Sequence, residues 1–357
     1  MSGLDDFIAA ETSLSEVDGA RGRLVIRGHT LDDLAGRTSF EALLSLLLAD
    51  LAPLPAGELK SRLGLARSRA FAEIAHLDPD LLRLSITEAL RALMARLPDG
   101  EEVDIAILLA AAPAVFVPAI IRRQAGREAI APDPAKGHAE DMLFMLSGET
   151  PSPAQIAALD TYLVTVSDHG LNASTFAARV VASTRAGYTS AVLAALGALK
   201  GPLHGGAPGP VLDMLDAIGS PDHAEAWLSA ALARGERLMG FGHRIYRVRD
   251  PRADALKSAL ARLGAAGGMN AARLALAETV ERDALALLRL AKPDRPLETN
   301  VEFFTALLLE ALGFPRDAFT GVFATGRVAG WLAHSHEQIT NGRLIRPQSL
   351  YVGPKAA

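Results

Sequence analysis

The sequence contains no cysteine, and only 5% of its 357 residues are aromatic. Without cysteine the chain can form no disulfide and offers no thiolate for catalysis or for metal binding. A chain of this kind fits a reducing compartment, so we expect a cytoplasmic location. Basic residues are spread along the chain, the net charge is −5, and no block of like charge occurs, so no nucleic-acid surface is expected.

No segment of the sequence is expected to cross a membrane or to direct export. The opening stretch, MSGLDDFIAAE, is acidic at once, which predicts neither a signal peptide nor a transit peptide. The one long uncharged run spans residues 105–121 and contains Pro113 and Pro118. It is shorter than the roughly 20 residues of a spanning helix, so it predicts a buried core helix with a kink.

Residues that favour helix dominate what the sequence does contain. Half of the residues are hydrophobic, and alanine and leucine are conspicuous among them. Apolar patterning predicts helices in several segments, which are residues 39–52, 81–97, 139–148, 151–170, 173–184, 189–200 and 327–342. The best strand candidate is RGRLVIRGHTL, residues 21–31, ended by Gly28, and residues 343–354 are expected to be extended. The balance predicts an all-α fold whose long loops contain the unusual residues.

Several common motifs are absent or incomplete. The segment GFGHRI contains G-x-G but lacks the third glycine of a dinucleotide fingerprint. The segment HSHEQIT has Thr340 where a zinc-binding H-E-x-x-H helix needs histidine, so no metal site is expected. The run SDH, residues 167–169, contains the letters of a catalytic triad. Adjacent residues on the helix predicted there cannot form a relay.

Two histidines and three arginines have unusual settings. His204 in GPLHGGAPG and His243 in GFGHRIY are flanked by glycines, which let the backbone approach a ligand closely. Arg252 follows nine residues after the second histidine, and Arg327 and Arg346 stand in apolar surroundings. An unpaired buried guanidinium is costly, so these arginines need anions. Each residue also has an ordinary interpretation: a solvated histidine in a surface loop, or an arginine paired with an internal carboxylate.

Glu302 stands directly before the apolar run FFTALLLEAL. The ordinary interpretation is an acid at a helix start, facing the positive end of the helix dipole. Together with the histidines and arginines, the residue suggests another function. Burial can raise the pKa of a carboxylate base, and a neutral histidine can donate a hydrogen bond to a developing enolate oxygen. Such a set suits carbon–carbon bond formation between an activated thioester and a keto acid.

These segments make the sequence similar to the citrate synthase family over nearly its whole length. The shared segments, in order, are AAETSLSEVDGARGRLVIRGHTLDDLA, DHGLNASTFAARVVAST, GALKGPLHGGAPGPVLDML, MGFGHRIYRVRDPRA, NVEFF, FATGRVAGWLAHSHEQ and RLIRPQSLYVGP. The resemblance implies an almost entirely α-helical homodimer, in which a small domain, residues 206–308, closes over the substrate. The large domain would be discontinuous and comprise residues 1–205 and 309–357.

The resemblance also implies roles for the matching residues. It implies that His204 hydrogen-bonds the thioester carbonyl, that His243 polarises the keto group of oxaloacetate, and that Glu302 removes a proton from the acetyl methyl. The residues implied to hold oxaloacetate are His169, Asn172, Arg252, Phe323, Arg327 and, from the other subunit, Arg346. Those implied to contact coenzyme A are Leu238, Met239, Gly240 and Asn300.

The same resemblance sets the expected partners. They are small-molecule substrates and a second copy of the chain, with a coenzyme A thioester as co-substrate. No permanently bound cofactor, no metal, no nucleic acid and no membrane is expected.

Some positions depart from the family's pattern. Glu302 stands where the family usually has aspartate, Pro208 replaces a frequent asparagine, and Gly326 replaces a common serine. Gln348 and Leu350 stand where basic residues are frequent, so the phosphate contacts of coenzyme A are expected to differ or to be weaker. The short N-terminus lacks the β-rich segment of the NADH-regulated hexameric branch, so a dimer without that regulation is expected.

The resemblance implies condensation of acetyl-CoA with oxaloacetate to citrate and free coenzyme A, the acyltransferase reaction of the tricarboxylic acid cycle. Two alternatives stay open. The first is propionyl-CoA as substrate, giving 2-methylcitrate, because one methyl group is worth only about 1–3 kcal/mol in a pocket. The second is a low-activity paralogue that binds oxaloacetate or an acyl-CoA in a sensing or assembly role. The substitutions at positions 302, 208 and 348 suggest that second alternative.

Overall fold

Fifteen α-helices, four short 3₁₀ helices and one small sheet make up the regular structure of the described part of the chain. The computed structural model describes residues 7–202, 204, 209–243, 245–246, 248–294 and 297–354. The helices are α1 Leu31–Leu34, α2 Phe40–Leu47, α3 Ala56–Phe71, α4 Ile86–Met94, α5 Val103–Gln124, α6 His138–Ser147, α7 Pro153–Val166, α8 Ala173–Ala182, α9 Tyr188–Leu199, α10 Gly209–Ile218, α11 Ala224–Ala233, α12 Pro251–Ala265, α13 Ala271–Ala291, α14 Val301–Ala311 and α15 Phe319–Asn341. This composition confirms the predicted all-α class.

The sheet is an antiparallel meander near the N-terminal end. Its strands, paired in chain order, are β1 Ser15–Asp18, β2 Arg23–Ile26 and β3 His29–Thr30. Val17 lies opposite Leu24 in the first pair. Arg27 and Gly28 form the two-residue turn between β2 and β3 with φ values of 48° and 84°. Two-residue hairpin turns favour such positive angles, so the strand predicted within residues 21–31 and its end at Gly28 are both confirmed.

Helix α5 lies at the centre of the core. Its residues from Ala106 to Ile121 are all buried, and α3, α4, α6, α9 and α15 pack around it. Of the helices in the described chain, this one alone is long and apolar enough to cross a membrane, yet 89% of its most apolar window is buried inside the protein. The helix runs unbroken through Pro113 and Pro118. The predicted core helix is therefore confirmed, while no break in the helix accompanies its prolines.

Helix α7 ends earlier than the sequence predicts. It stops at Val166, whereas the sequence suggested that it continues to Gly170. The reason lies in α15, which supplies hydrogen-bond donors to the last carbonyls. The Arg327 Nε donates to the Val166 carbonyl at 2.5 Å, and the Gly330 N–H donates to the Ser167 carbonyl at 3.1 Å. These tertiary bonds replace helical ones, so the segment that follows is free to leave the helix.

Two glycines let α15 approach the end of α7 closely. A Cβ added at Gly326 would lie 2.6 Å from the Val166 Cγ2, and one added at Gly330 would lie 2.4 Å from the Ser167 carbonyl oxygen. Distances this short are not tolerated in a packed interior, because non-bonded carbon atoms prefer about 3.5–4.0 Å. The departure from serine at position 326 thus has a physical reason, since Val166 occupies the space that a side chain would need.

Helices α10 to α14 form the part of the chain predicted to be the small domain. Within it α10 and α12 pack on α14, and α11 packs on α13. Helix α12 also packs on α7, which belongs to the predicted large domain. The first predicted boundary, near residue 206, and Pro208 lie outside the described residues. The second, at residue 308, falls within α14, and the division into domains stays a prediction.

The C-terminal segment, residues 342–354, contains neither helix nor strand. Leu344, Leu350, Tyr351 and Val352 are each more than half exposed along it. The segment expected to be extended therefore pairs with no strand of the described chain. A row of exposed apolar side chains of this kind is typical of a surface that another chain covers.

Gly330→Ala is expected to lower the free energy of unfolding by about 1–3 kcal/mol, because the added methyl group overlaps the Ser167 carbonyl oxygen. Gly197→Ala in α9 is the matched control, since no atom lies within 4 Å of its added Cβ. Alanine in a helix interior stabilises by roughly 0.5–1 kcal/mol relative to glycine. Denaturant unfolding measures both variants. A shift of the same sign in the two would contradict the close approach of α15 to α7.

Candidate functional site

Two segments that are distant in sequence pair at the centre of the candidate site. One is the site loop, residues 238–250, which connects α11 to α12. Phe241 in this loop forms an antiparallel bridge with Thr299, just before α14. Asn300 extends the pairing, because its N–H and its side-chain amide donate to two glycine carbonyls of the loop at 2.9 and 2.7 Å. His243, which lies in this loop, is thereby held beside the start of α14.

The residues expected to contact coenzyme A lie in these paired segments. Leu238 is buried, Met239 is half-buried, and Gly240 has a φ of 86°. A Cβ added at Gly240 would lie 2.8 Å from the Phe303 side chain. Glycine is therefore needed there both for its backbone angle and for the close approach of α14. The contacts of these residues and of Asn300 with coenzyme A stay a prediction.

A buried aspartate that the sequence reasoning missed joins the site loop to two helices. Asp250 caps α12 by accepting the Arg252 N–H at 3.0 Å, and it accepts the Arg252 Nε and Nη2 at 3.0 and 2.8 Å. It also accepts the Val301 N–H at 3.2 Å, at the first residue of α14. The local signal was present, because an acid directly before a proline matches the start of a helix.

His243 is a neutral donor aimed at the same place as Arg252. Its Nδ1 accepts the N–H groups of Ile245 and Tyr246 at 3.0 and 3.1 Å. The hydrogen-bond pattern therefore assigns the ring proton to Nε2, which lies 3.1 Å from the Arg252 Nη2. Burial lowers the pKa of His243 to about 4, with Arg252 contributing. The His243 Nε2 and the Arg252 Nη2 are thus two adjacent donors, and one acceptor oxygen placed beside them could accept hydrogen bonds from both.

His169 lies beside His243, in the non-helical segment that follows α7. The two rings are 5.8 Å apart in an edge-on arrangement. Its Nε2 lies 3.1 Å from the Tyr246 Oη, a contact that the sequence reasoning did not foresee. Burial and then the nearby Arg252 and Arg327 hold the pKa of His169 well below its usual value. The imidazole is therefore neutral at pH 7.

Arg327 is buried without a carboxylate partner among the described residues. Its Nε donates to the Val166 carbonyl, its guanidinium lies 4.8 Å from the centre of the Phe323 ring, and its Nη2 has no partner in the part of the chain described. Burial lowers the pKa of Arg327 to about 10, so the group stays charged at pH 7. A buried cation with a free donor is suited to receive an anionic ligand.

His204 is oriented by a buried serine. Its Nε2 lies 2.8 Å from the Ser174 Oγ, which accepts the Trp331 Nε1–H at 3.1 Å and donates to the Asn172 Oδ1 at 2.8 Å. That Oδ1 also accepts the backbone N–H groups of Ser174 and Thr175, at 3.1 Å each. The serine that contacts His204 is therefore itself held by the first turn of α8 and by Trp331.

His204 is uncharged at pH 7. Burial, followed by Arg327 and Arg252, lowers the pKa of His204 to about 4. Asn172 is used differently from what was expected, because its side chain caps α8 and bonds Gly170 and Thr175. Its polar atoms are occupied within the chain, so its expected contact with a ligand stays a prediction.

Glu302 lies in the first turn of α14, with its N–H donating to the Asn300 Oδ1 at 3.0 Å. The residue is partly exposed to the cleft, and no donor among the described residues bonds its carboxylate. Burial of the carboxylate raises the pKa of Glu302 to about 7, against the opposing effect of Arg252. A carboxylate with such a pKa can take up a proton near neutral pH and release it again.

The run SDH forms no triad, but the reason differs from the predicted one. The three residues lie beyond the end of α7 and not on a helix. Ser167 donates back to the Val164 carbonyl at 2.8 Å, while Asp168 pairs with the His334 Nε2 at 3.3 Å. In the described ranges, no three His, Asp or Glu side chains are grouped as metal ligands would be.

Arg346 does not reach the site of its own chain. It is exposed in the C-terminal segment and lines a separate cavity of about 970 Å³, together with Arg179 and Glu337. The structure therefore brings together the three histidines, Arg252, Arg327 and Glu302, and leaves Arg346 apart. These grouped residues can hold a dicarboxylate, polarise two carbonyl oxygens and remove a proton from carbon.

Comparisons with known proteins agree with this grouping. The family profile described as citrate synthase, C-terminal domain, matches residues 3–348. The putative citrate synthase 2 of Mycobacterium tuberculosis is 38% identical over 363 residues, which cover 99% of this chain and 92% of that protein. The 2-methylcitrate synthase of the same species is 35% identical over 375 residues, which cover 98% and 90%.

A solved structure extends the similarity to the whole fold. It is the ternary complex of citrate synthase from Thermoplasma acidophilum with carboxymethyl coenzyme A and oxaloacetate. The two structures superpose with a TM-score of 0.87 at 28% identity, covering 99% of this chain and 96% of that one. That protein was therefore solved with both a coenzyme A derivative and a keto acid bound.

Asp250→Asn is expected to lower the free energy of unfolding by about 3–5 kcal/mol, because it leaves the buried Arg252 guanidinium without its counter-charge. Asp254→Asn on the same helix is the matched control. Asp254 pairs with Arg249 while its side chain is 51% exposed, so its loss should cost less than about 1 kcal/mol. Denaturant midpoints compare the two variants. Equal losses would show that Asp250 does not hold the site together.

Proposed function

The chain belongs to the citrate synthase family, and on that premise we propose how its residues join the acetyl group of acetyl-CoA to oxaloacetate, giving citrate and free coenzyme A. The protein is accordingly an acyltransferase. The observation behind the assignment of roles is the setting of Glu302, whose carboxylate receives no hydrogen bond from the described residues and stands among neutral histidines and two buried arginines.

Oxaloacetate binds through its carboxylates and its keto oxygen. Arg327 offers one carboxylate an Nη2 that has no partner among the described residues, and Arg252 offers its Nη2 beside His243. His243 donates its Nε2–H to the keto oxygen, which makes the keto carbon more electrophilic. His169 donates to a carboxylate, and Phe323 supports Arg327 through its ring.

The acyl group is activated by a base and a neutral acid acting together. Glu302 takes a proton from the acetyl methyl, and neutral His204 donates a hydrogen bond to the thioester oxygen as it becomes an enol oxygen. The methylene carbon then bonds to the keto carbon of oxaloacetate, whose oxygen takes the Nε2 proton of His243, and the proton removed by Glu302 replaces it. Water finally cleaves the thioester, releasing citrate and the thiol of coenzyme A.

Glutamate reaches further than the aspartate usual in the family. The additional methylene extends the carboxylate by about 1.5 Å, one carbon–carbon bond. A misplacement of this size could cost about 100-fold in rate. The start of α14 is fixed by Asp250 at Val301 and by Asn300 at Glu302. We infer that this fixed backbone, with a side-chain conformation suited to the cleft, places the glutamate oxygen where the proton is removed.

The acyl group proposed is acetyl. Relatives bear the names of both citrate synthase and 2-methylcitrate synthase. A single methyl group separates the two substrates, so similarity of sequence discriminates them poorly. Closure of residues 206–308 over the substrate would exclude water from the enol.

We further propose a homodimer in which Arg346 completes the site of the partner. Its exposure, its distance from the site of its own chain, and the exposed Leu344, Leu350, Tyr351 and Val352 beside it support a segment that lies on another subunit. The partners are then two small-molecule substrates and a second copy of the chain. A cytoplasmic location belongs to the same proposal and is supported by the absence of cysteine.

Glu302→Gln is expected to reduce thiol release from acetyl-CoA and oxaloacetate by about 10²–10⁴-fold, because it removes the base. Oxaloacetate binding, measured by calorimetry, should stay near wild type. The wild-type rate should rise with pH through about 7, since only the deprotonated Glu302 accepts the proton. The variant should lack this dependence.

Glu310→Gln, on the same helix but paired with Arg273, is the control and should keep full activity. Wild-type rates retained by Glu302→Gln would refute the assignment of the base. A marked preference of the wild type for propionyl-CoA would replace the proposed acyl group. Oxaloacetate binding without thiol release from either substrate would favour the low-activity alternative.

Arg346→Ala is expected to be inactive alone and to regain activity when mixed with Glu302→Gln. In a heterodimer of the two variants, one site combines an intact Glu302 with an intact Arg346 from the partner. Random pairing of equal amounts should restore about one quarter of the wild-type activity per chain. Dissociation, mixing and reassociation followed by the thiol assay measure this. A mixture that stays inactive, despite heterodimers detected by native mass spectrometry, would exclude a contribution in trans.

A further inference from the structure

Tyr246 contacts three of the groups assigned to oxaloacetate without having been assigned a role itself. Its side chain is only 4% exposed. Its ring centre lies 5.6 Å from that of His169 and 4.8 Å from that of His243, and the Arg252 guanidinium carbon lies 5.8 Å from it. Its N–H also donates to the His243 Nδ1 at 3.1 Å. One residue therefore links all three side chains.

The direction of the hydrogen bond between Tyr246 and His169 follows from hydrogen-bond accounting. The Tyr246 Oη lies 3.1 Å from the His169 Nε2, and in the described chain it has no other partner. If the hydroxyl accepted from His169, its own proton would be left buried without an acceptor, which is costly. The hydroxyl therefore donates to Nε2. The single proton of the neutral imidazole is then on Nδ1, which bonds no residue of the described chain.

Packing on the N-terminal sheet keeps Tyr246 in this place. A Cβ added at Gly19 would lie 2.4 Å from the Ile245 carbonyl oxygen, and one added at Gly22 would lie 2.8 Å from the Arg249 carbonyl oxygen. Both glycines belong to the turn between β1 and β2. The backbone at Ile245 and at Arg249, on either side of Tyr246, thus lies directly against the turn between β1 and β2.

We propose that Tyr246 is a positioning residue of the oxaloacetate site, whose hydroxyl fixes the tautomer of His169 so that the Nδ1–H faces a carboxylate of the ligand. This inference rests on the proposed function. It adds a residue that acts on the ligand indirectly, by orienting His169. Tyr246 and His169 are 77 positions apart in the sequence. The hydrogen bond between them therefore also ties the site loop to the segment that follows α7.

Tyr246→Phe tests the inference because it removes one oxygen and keeps the ring. We expect roughly 5- to 30-fold weaker oxaloacetate binding by calorimetry, with the KM for oxaloacetate rising more than kcat falls. Tyr188→Phe is the matched control. Tyr188 is also buried and its Oη lies 2.9 Å from the Nδ1 of His336, away from the site. It should leave oxaloacetate binding unchanged.

The tautomer of His169 gives a second readout that does not depend on a variant. Nitrogen-15 spectra of the full-length wild type, assigned with His169→Gln, should show the proton on Nδ1. Protonation at Nε2 would overturn the inference, and so would wild-type affinity in a folded Tyr246→Phe. In both cases the proposed function would stand. A wild type that neither binds oxaloacetate nor releases thiol would overturn the proposed function and this inference with it.

Discussion

A single buried carboxylate, that of Asp250, determines where the parts of the site lie. It accepts hydrogen bonds from the first turn of α12, from the Arg252 guanidinium and from the Val301 N–H that opens α14. Without it the arginine would be a buried cation lacking a counter-charge, and the base at position 302 would sit on a helix with a free end. One anion thus fixes both the cation proposed to hold substrate and the helix that bears the proposed base.

The electrostatic character of the site follows from burial more than from individual charges. Removal from water is the first cause that lowers the pKa of His204 and His243 to about 4 and raises that of Glu302 to about 7. The histidines are consequently uncharged, and the buried cations Arg252 and Arg327 lie close to them. An environment of this kind favours charge that develops on oxygen during the reaction.

Sequence reasoning succeeded where the signal is local. Helical patterning, the glycine-framed histidines and the turn at Gly28 all depend on neighbouring residues. Sequence reasoning failed where the interaction partner of a residue comes from a segment that is distant in the sequence. Helix α7 stops at Val166 because α15 provides donors, and Tyr246 matters because its hydroxyl meets a histidine from another segment. Asp250 had a local signal as a helix cap, but nothing in the sequence disclosed its bond to Val301.

The glycines of α15 have a consequence for motion. Since Gly326 and Gly330 bring α15 into backbone contact with the end of α7, Arg327 and the segment that bears His169 belong to one stiff unit. His243 and Arg252 belong to the site loop and α12, whose pairing with α14 makes a second unit. In the proposed closure, displacement between these units would change the width of the cleft, whereas the spacing of groups within each unit would be conserved. Each closure would then restore the same geometry.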